Sequence, residues 1–212
     1  MHFIVNRPNL SREQAEELLL KPRDRIAVDI ETVSLDNPLP LGVAVGLEPT
    51  LGFYFFNPRS ELLKKVVAQT PTILTHNAAF DLPILYRLGF TVQNYEDTMM
   101  QAYAGGILDK SLASLSGTIL LKNCPSVTSQ WKKKDQGNIA IDHVKMGGMS
   151  IIHACNTYDL WDTLPKVRLY YDIDRPCVDL VMEMERWGLL IDQAKLTEVE
   201  QETITKANKM EQ

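Results

Sequence analysis

The chain has 212 residues, 45% of them apolar and 23% charged, a balance that fits one ordinary globular domain or a domain with a short appendage. It excludes a disordered tail, a coiled coil and a disulfide-stapled peptide. The net charge of −5 excludes gripping a nucleic acid by a global positive field, so any such grip is local or carried by bound cations.

Ser11 followed by Glu13, Ala15, Leu18, Leu19 and Leu20, with Pro22 beyond, predicts a capped helix over 11–20. The β-branched alternation of 25–32 (RIAVDIET), then 41–47 and 51–56 between Pro, Gly, Asp and Asn punctuation, predicts three strands joined as a meander. The segment 39–56, broken by Pro40, Glu48 and Pro49, does not suit a bilayer span of about 20 apolar residues. A helical pattern to about Ala68 leads to a short strand over 72–75 and a helix from about Phe80, with Leu82, Leu85 and Leu88 inward, that ends at Gly89. Asp97 opens a further helical segment. From 108 to 150 the pattern is weak, with a basic run Lys132, Lys133 and Lys134 and a Gly147–Gly148 break, and it reads as a loop. Helices are expected over 150–171, 176–187 and 195–210. Strands first and helices after define an α/β class with a mixed sheet. Cys124, Cys155 and Cys177 are odd in number and lack C-x-x-C spacing, which suits a reducing cytoplasm better than a disulfide framework or a thiolate zinc site. Residues 1–7 show no secretory leader pattern, and no membrane partner is expected.

In the strand over 25–32, Asp29 and Glu31 are two residues apart, so both carboxylates leave one face while Val28 and Ile30 point to the other. Two acids side by side on an apolar strand repel each other and resist desolvation, and a bound divalent cation compensates for both. Taken alone, D-x-E reads equally as the polar end of a strand entering a turn. Asn77 falls near a helix N-terminus and Asp81 in its first turn, where both residue types also stabilise that end without doing chemistry. Tyr158 and Asp162 stand four apart on a late helix, where both reach a common point, as does any pair on an amphipathic face.

Taken in order, D-x-E on a strand, N-x-x-x-D at a helix start and Y-x-x-x-D on a late helix resemble the DEDD superfamily of 3′-to-5′ exonucleases, in the subclass with tyrosine in the third motif. Residues 29–37 (DIETVSLDN) resemble the first motif of the proofreading domain of family-A DNA polymerases, and 96–100 (EDTMM) that family's acidic helix start between the second and third motifs. Residues 176–192 resemble the segment that joins the proofreading domain to the polymerase thumb, so the likeness runs over about 24–200. Two features depart from the pattern: Pro165, three residues after Asp162, removes a backbone donor and is expected to kink the helix, and Lys166 replaces the usual threonine. A second register, Asp159 with Thr163 four residues on, puts Cys155 where tyrosine belongs; Tyr158 with Asp162 is preferred. Neither His143 nor His153 has the aspartate five residues on that the histidine subclass needs.

The resemblance implies a ribonuclease H-like α/β fold, a mixed five-stranded sheet flanked by helices, over 1–172, with a C-terminal helical extension over 173–212 like the linker and start of a polymerase thumb. It implies hydrolysis of DNA from the 3′ end to nucleoside 5′-monophosphates with two ions, Mg²⁺ or Mn²⁺. In that scheme Asp29 bridges the ions, Glu31 and Asp162 complete the water-activating site, Asp81 holds the second ion and Tyr158 orients the attacking water. Thr32, Leu35 and Asn77 would touch the terminal nucleotide, with His76, Trp131 and the Lys132 to Lys134 run as further candidates. The implied partners are single-stranded or frayed DNA 3′ ends and a separate polymerase chain, in the cytoplasm of a bacterium or phage-infected host. Thumb, palm and fingers do not fit in this length, which suggests a stand-alone or split-gene unit or an excised domain. A ribonuclease D-like RNA-trimming enzyme shares the tyrosine-type motif, and a non-catalytic module of a polymerase assembly would keep the same fold; both alternatives stay open.

Overall fold

The structure, a computed structural model, describes residues 3–33, 38–125 and 142–210. Six strands form one mixed sheet: β1 (Phe3–Val5), β2 (Arg25–Thr32), β3 (Pro40–Glu48), β4 (Leu51–Phe55), β5 (Thr72–Thr75) and β6 (Tyr95–Asp97), in the order β1-β4-β3-β2-β5-β6. The meander β2-β3-β4 is antiparallel, β1 adds antiparallel to β4, and β5 and β6 run parallel to β2 on its other side. The sheet therefore has six strands where five were expected. The residue pattern marked four of them; the two it did not mark, β1 and β6, have three residues each, too few to show a period of two, and exist because Phe55 and Thr75 offer them a ladder.

The helices are α1 (Arg12–Leu20), α2 (Glu61–Gln69), α3 (Ala78–Arg87), α4 (Thr98–Ala104), α5 (Leu112–Thr118), α6 (His143–Thr163), α7 (Arg175–Trp187) and α8 (Gln193–Met210). Ser11 closes a capping box on α1: its hydroxyl accepts the Gln14 N–H while the Gln14 side chain accepts the Ser11 N–H. Among the described residues no helix is long and apolar enough to cross a membrane.

The long helix α6 governs the site, and its bounds differ from those expected. It starts at His143, where the Asp142 carboxylate accepts the Val144 and Lys145 N–H groups, and it runs straight through Gly147–Gly148. Gly147 marks a close approach, not a break: a Cβ there would stand 2.5 Å from the buried Tyr54 ring and 2.9 Å from Ile4. The helix lies on the sheet through Met146, Ile151, Ala154 and Cys155, packed with Ala44 and Tyr54. It stops at Thr163 instead of Tyr171, because Leu164 before Pro165 takes an extended conformation (ψ 147°), so Pro165 ends the helix rather than kinking it.

The two glycines predict opposite responses. Gly148→Ala, whose Cβ meets nothing within 4 Å, is expected to stabilise by about 0.5–1 kcal/mol. Gly147→Ala gains the same propensity but loses about 1–3 kcal/mol to overpacking on Tyr54, a net loss. Urea denaturation of the two variants checks the pair.

By compactness the chain divides into Met1–Asp179, which holds the sheet and α1 to α6, and Leu180–Gln212, which holds the last part of α7 and all of α8.

Candidate active site

Residues 27, 29 and 31 of β2 face α6, and the packing of Gly46, the ladder partner of Ala27, against Ala154 fixes the register of that helix on the sheet. Ser150 and His153 consequently stand over Asp29 and Glu31. The Ser150 hydroxyl donates to Asp29 Oδ2 at 2.6 Å. His153 Nδ1 lies 3.8 Å from Asp29 Oδ2 and 3.9 Å from Glu31 Oε1, while its Nε2–H donates to the Pro125 carbonyl at 2.7 Å. Asp29, Glu31 and His153 each present one ligand-type atom within 4.8 Å of the others.

Asp81, in the first turn of α3, is 5% exposed, and its carboxyl lies against the backbone of Ile30 on β2. Burial first, then the charges of Asp29, Asp97 and Glu31, push its pKa well above the usual carboxylate range. Burial and the neighbouring Asp29 raise the Glu31 carboxyl to about 8. Burial opposes a charge on His153, but Asp29, the Cys124 side chain and the Pro125 carbonyl outweigh it and lift its pKa to about 11. Glu31 and Asp81, raised in this half-dry place, thus hold protons that a bound cation would displace.

The turn that aims Asp81 is built by Asp97. Asn77 adopts the left-handed conformation (φ 89°) that asparagine tolerates, and its side chain makes no cap hydrogen bond. Its N–H and that of Ala78 instead donate to the Asp97 carboxylate at 3.1 and 2.8 Å, and the same carboxylate caps α4 by accepting from Met99 and Met100 at 2.9 and 3.2 Å. Tyr170 accepts the Asp97 N–H and donates to Glu96 at 2.7 Å, tying β6 in place. His76 Nδ1 meets the Thr98 hydroxyl at 2.8 Å, a contact within this scaffold. Asp97→Ala should destabilise the fold by about 3 kcal/mol, since four backbone donors lose a charged acceptor. A loss below about 1 kcal/mol in denaturant titration would contradict that role for Asp97.

The structure does not bring Tyr158 and Asp162 to the cluster. Asp162 pairs with Arg25 at 2.5 Å, and the Arg25 guanidinium lies 5.0 Å from the centre of the Tyr158 ring. Arg25 is four residues before Asp29 on β2, about 13 Å along a strand, and Asp162 is nine residues after His153, about 13.5 Å along a helix. Because α6 runs antiparallel to β2, the i, i+4 pair shares one face as expected but at the far end of the strand. The other register fares no better: Asp159 pairs with Lys122 at 2.6 Å and Cys155 packs under Gly52. The positioned third-segment residues are Ser150 and His153, followed one turn later by the buried Thr157. Met146, Ser150, His153 and Thr157 are spaced as one helical stripe, a signal that was in the sequence. Thr32 is half-buried at the end of β2, where the ladder shifts register, and Asn77 opens α3. Leu35, Trp131 and Lys132 to Lys134 lie outside the described residues.

A mixed sheet whose central strand turns D-x-E toward a long helix, with a further acid from the helix after β5, is the ribonuclease H-like arrangement of the DEDD superfamily. Residues 4–140 match the family described as 3′-5′ exonuclease, that of family-A DNA polymerases, and the chain belongs to it. The match ends before α6, so it covers Asp29, Glu31 and Asp81 and leaves the third segment to the structure. No curated protein sequence matches the chain. Among solved structures, the POL domain of Pol1 from M. smegmatis, in complex with DNA primer-template and dNTP, is similar at TM-score 0.63 and 21% identity over 88% of this chain and 33% of that one. Brucella melitensis NrnC bound to pGG is similar at 0.57 and 15% over 76% and 80%. The catalytic core of RRP6 from Trypanosoma brucei is similar at 0.54 and 18% over 81% and 48%. At these identities the structural likeness establishes the fold. The chain spans about a third of the Pol1 chain and about half of the RRP6 core.

Proposed function

We propose that the chain is a divalent-metal-dependent exonuclease that shortens DNA from its 3′ end and releases nucleoside 5′-monophosphates. The observation that carries this reading is the Asp29, Glu31 and His153 cluster, with ligand-type atoms within 4.8 Å of one another and Asp81 beside it. Its donors fit a divalent cation: the carboxylates are hard oxygen ligands, and the far N–H of the imidazole is already engaged. When bound, two such ions supply an activated water and neutralise charge building on the phosphodiester. Asp29 and Glu31 would hold them from the strand and Asp81 from α3. Ser150 fixes one oxygen of Asp29, and Pro125 fixes the His153 ring. Thr32 and Asn77, at the ends of the elements that carry the acids, receive the terminal nucleotide. Residues 1–172 serve as the nuclease and 173–212 as an extension toward a polymerase.

Support for DNA over RNA comes from the polymerase-like segment 176–192 and from the 88% of this chain that the Pol1 structure covers. A second reading, a non-catalytic module of a polymerase assembly, is favoured by one observation: among the described residues, neither Asp159 nor Asp162 of α6 reaches Asp29. Incubating the protein with 5′-labelled DNA and RNA of one sequence, with Mn²⁺, Mg²⁺ or chelator, separates the readings. A metal-dependent ladder on DNA is the expected result. A ladder on RNA alone assigns the chain to RNA trimming, and cleavage of neither despite bound metal assigns it to the non-catalytic module.

A further inference from the structure

We infer that His153 is itself a ligand of the cation held by Asp29 and Glu31, and that its imidazole makes this site prefer Mn²⁺ over Mg²⁺. The inference rests on the metal site of the proposed function and adds to it a residue and a selectivity. Three observations converge on the ring. Its Nε2–H is spent on the Pro125 carbonyl, a group that only accepts, so in the neutral ring the lone pair is on Nδ1, which faces the two carboxylates. That outward hydrogen bond is the usual support of a metal-bound histidine, where it fixes tautomer and orientation. Separations of 3.8 and 3.9 Å from Asp29 and Glu31 are too long for hydrogen bonds. They fall in the range open to two atoms that share one ion at about 2.1 Å each, from about 3.0 Å for ligands at right angles to about 4.2 Å for opposite ones. Finally, the ring is largely buried, with its side chain 14% exposed, so it is held in place rather than swinging in solvent.

The selectivity follows from donor chemistry. Mg²⁺ favours oxygen donors, keeps its waters and depends on ligand charge, whereas Mn²⁺, a first-row transition metal that also takes carboxylate oxygen, loses less when one donor is an imidazole nitrogen. The α6 residues at this end of β2 are Ser150 and His153, so the helix offers a nitrogen instead of a negative oxygen. Such a site loses Mg²⁺ affinity and keeps Mn²⁺ affinity.

The test reads binding directly on the full chain, by the loss of the free-ion Mn²⁺ EPR signal, by Mg²⁺ competition, and by nitrogen modulation in the pulsed EPR of bound Mn²⁺. Parent protein should show coupling to a directly bound imidazole nitrogen. His153→Ala should lose that coupling and bind Mn²⁺ at least about tenfold more weakly, with Mg²⁺ affinity changed less than about twofold. Bound Mn²⁺ without nitrogen coupling, or equal weakening of both ions, would overturn the inference. Tighter Mn²⁺ binding in His153→Ala would do so too, by showing that the ring acts as a resident cation. His153→Gln, with circular dichroism, guards against misfolding. Asp29→Asn separates the two levels: loss of Mn²⁺ with no effect of His153 removes only the ligand inference, whereas Mn²⁺ binding untouched by Asp29→Asn removes the metal site and the exonuclease reading with it.

Discussion

Asp29→Asn is expected to lower the rate of 3′-terminal nucleotide release by at least about 10³-fold, with the fold intact. Asp29 is the centre of the cluster: it receives the Ser150 hydroxyl, faces His153, and its charge contributes to the raised pKa values of both Glu31 and Asp81. Asparagine keeps the shape and an oxygen for Ser150 but removes the charge that attracts a cation. Time courses on labelled DNA with saturating Mn²⁺, alongside circular dichroism, check both halves. Near-parental cleavage by a folded variant would place the chemistry elsewhere.

The second large effect concerns stability without metal. An acid with a raised folded-state pKa holds its proton more tightly folded than unfolded, so stability is lost as pH climbs from the ordinary carboxylate range toward about 8 for Glu31. Asp81 acts in the same direction. His153, held protonated up to about 11, adds to the loss above the ordinary histidine range. In chelator, the melting temperature should therefore fall between about pH 5 and pH 9. Asp81→Asn removes a buried acid, so at neutral pH it should stabilise the metal-free protein by about 1–3 kcal/mol. The parent should gain about 2.7 kcal/mol from Mn²⁺ at a hundred times its Kd, and Asp81→Asn much less. Thermal melts across pH, with and without Mn²⁺, test the whole set; a metal-free melting temperature that rises with pH would contradict it.

Much of the site was readable because its first acids obey local rules. Asp29 and Glu31 share a face by the period of a strand, and Asp81 falls in a first helical turn by its distance from Thr72–Thr75. The third segment was not readable in the same way. A helix repeats its spacing every turn, so Tyr158 with Asp162, Cys155 with Asp159 and His153 with Thr157 are equivalent as patterns, and only long-range packing selects among them. That packing depends on Gly46 beneath Ala154 and Gly147 beneath Tyr54, contacts between residues about a hundred apart in sequence. The same contact explains why Gly147–Gly148 read as a break: two weak helix formers look like a loop until the sheet they touch is known. β1 and β6 were hidden by their length, and Asp97 showed its helix-capping role without its second role, holding the turn at Asn77.

In the proposed function the working end of α6 is at His153 and not at Asp162, and the rate of 3′-nucleotide release by Asp162→Asn reports on that difference. Asp162 is 55% exposed in its pair with Arg25, so losing it should cost under about 1 kcal/mol and leave cleavage within about threefold of the parent. A loss approaching that of Asp29→Asn, in a variant that remains folded, would place Asp162 among the acids of the site and His153 outside it.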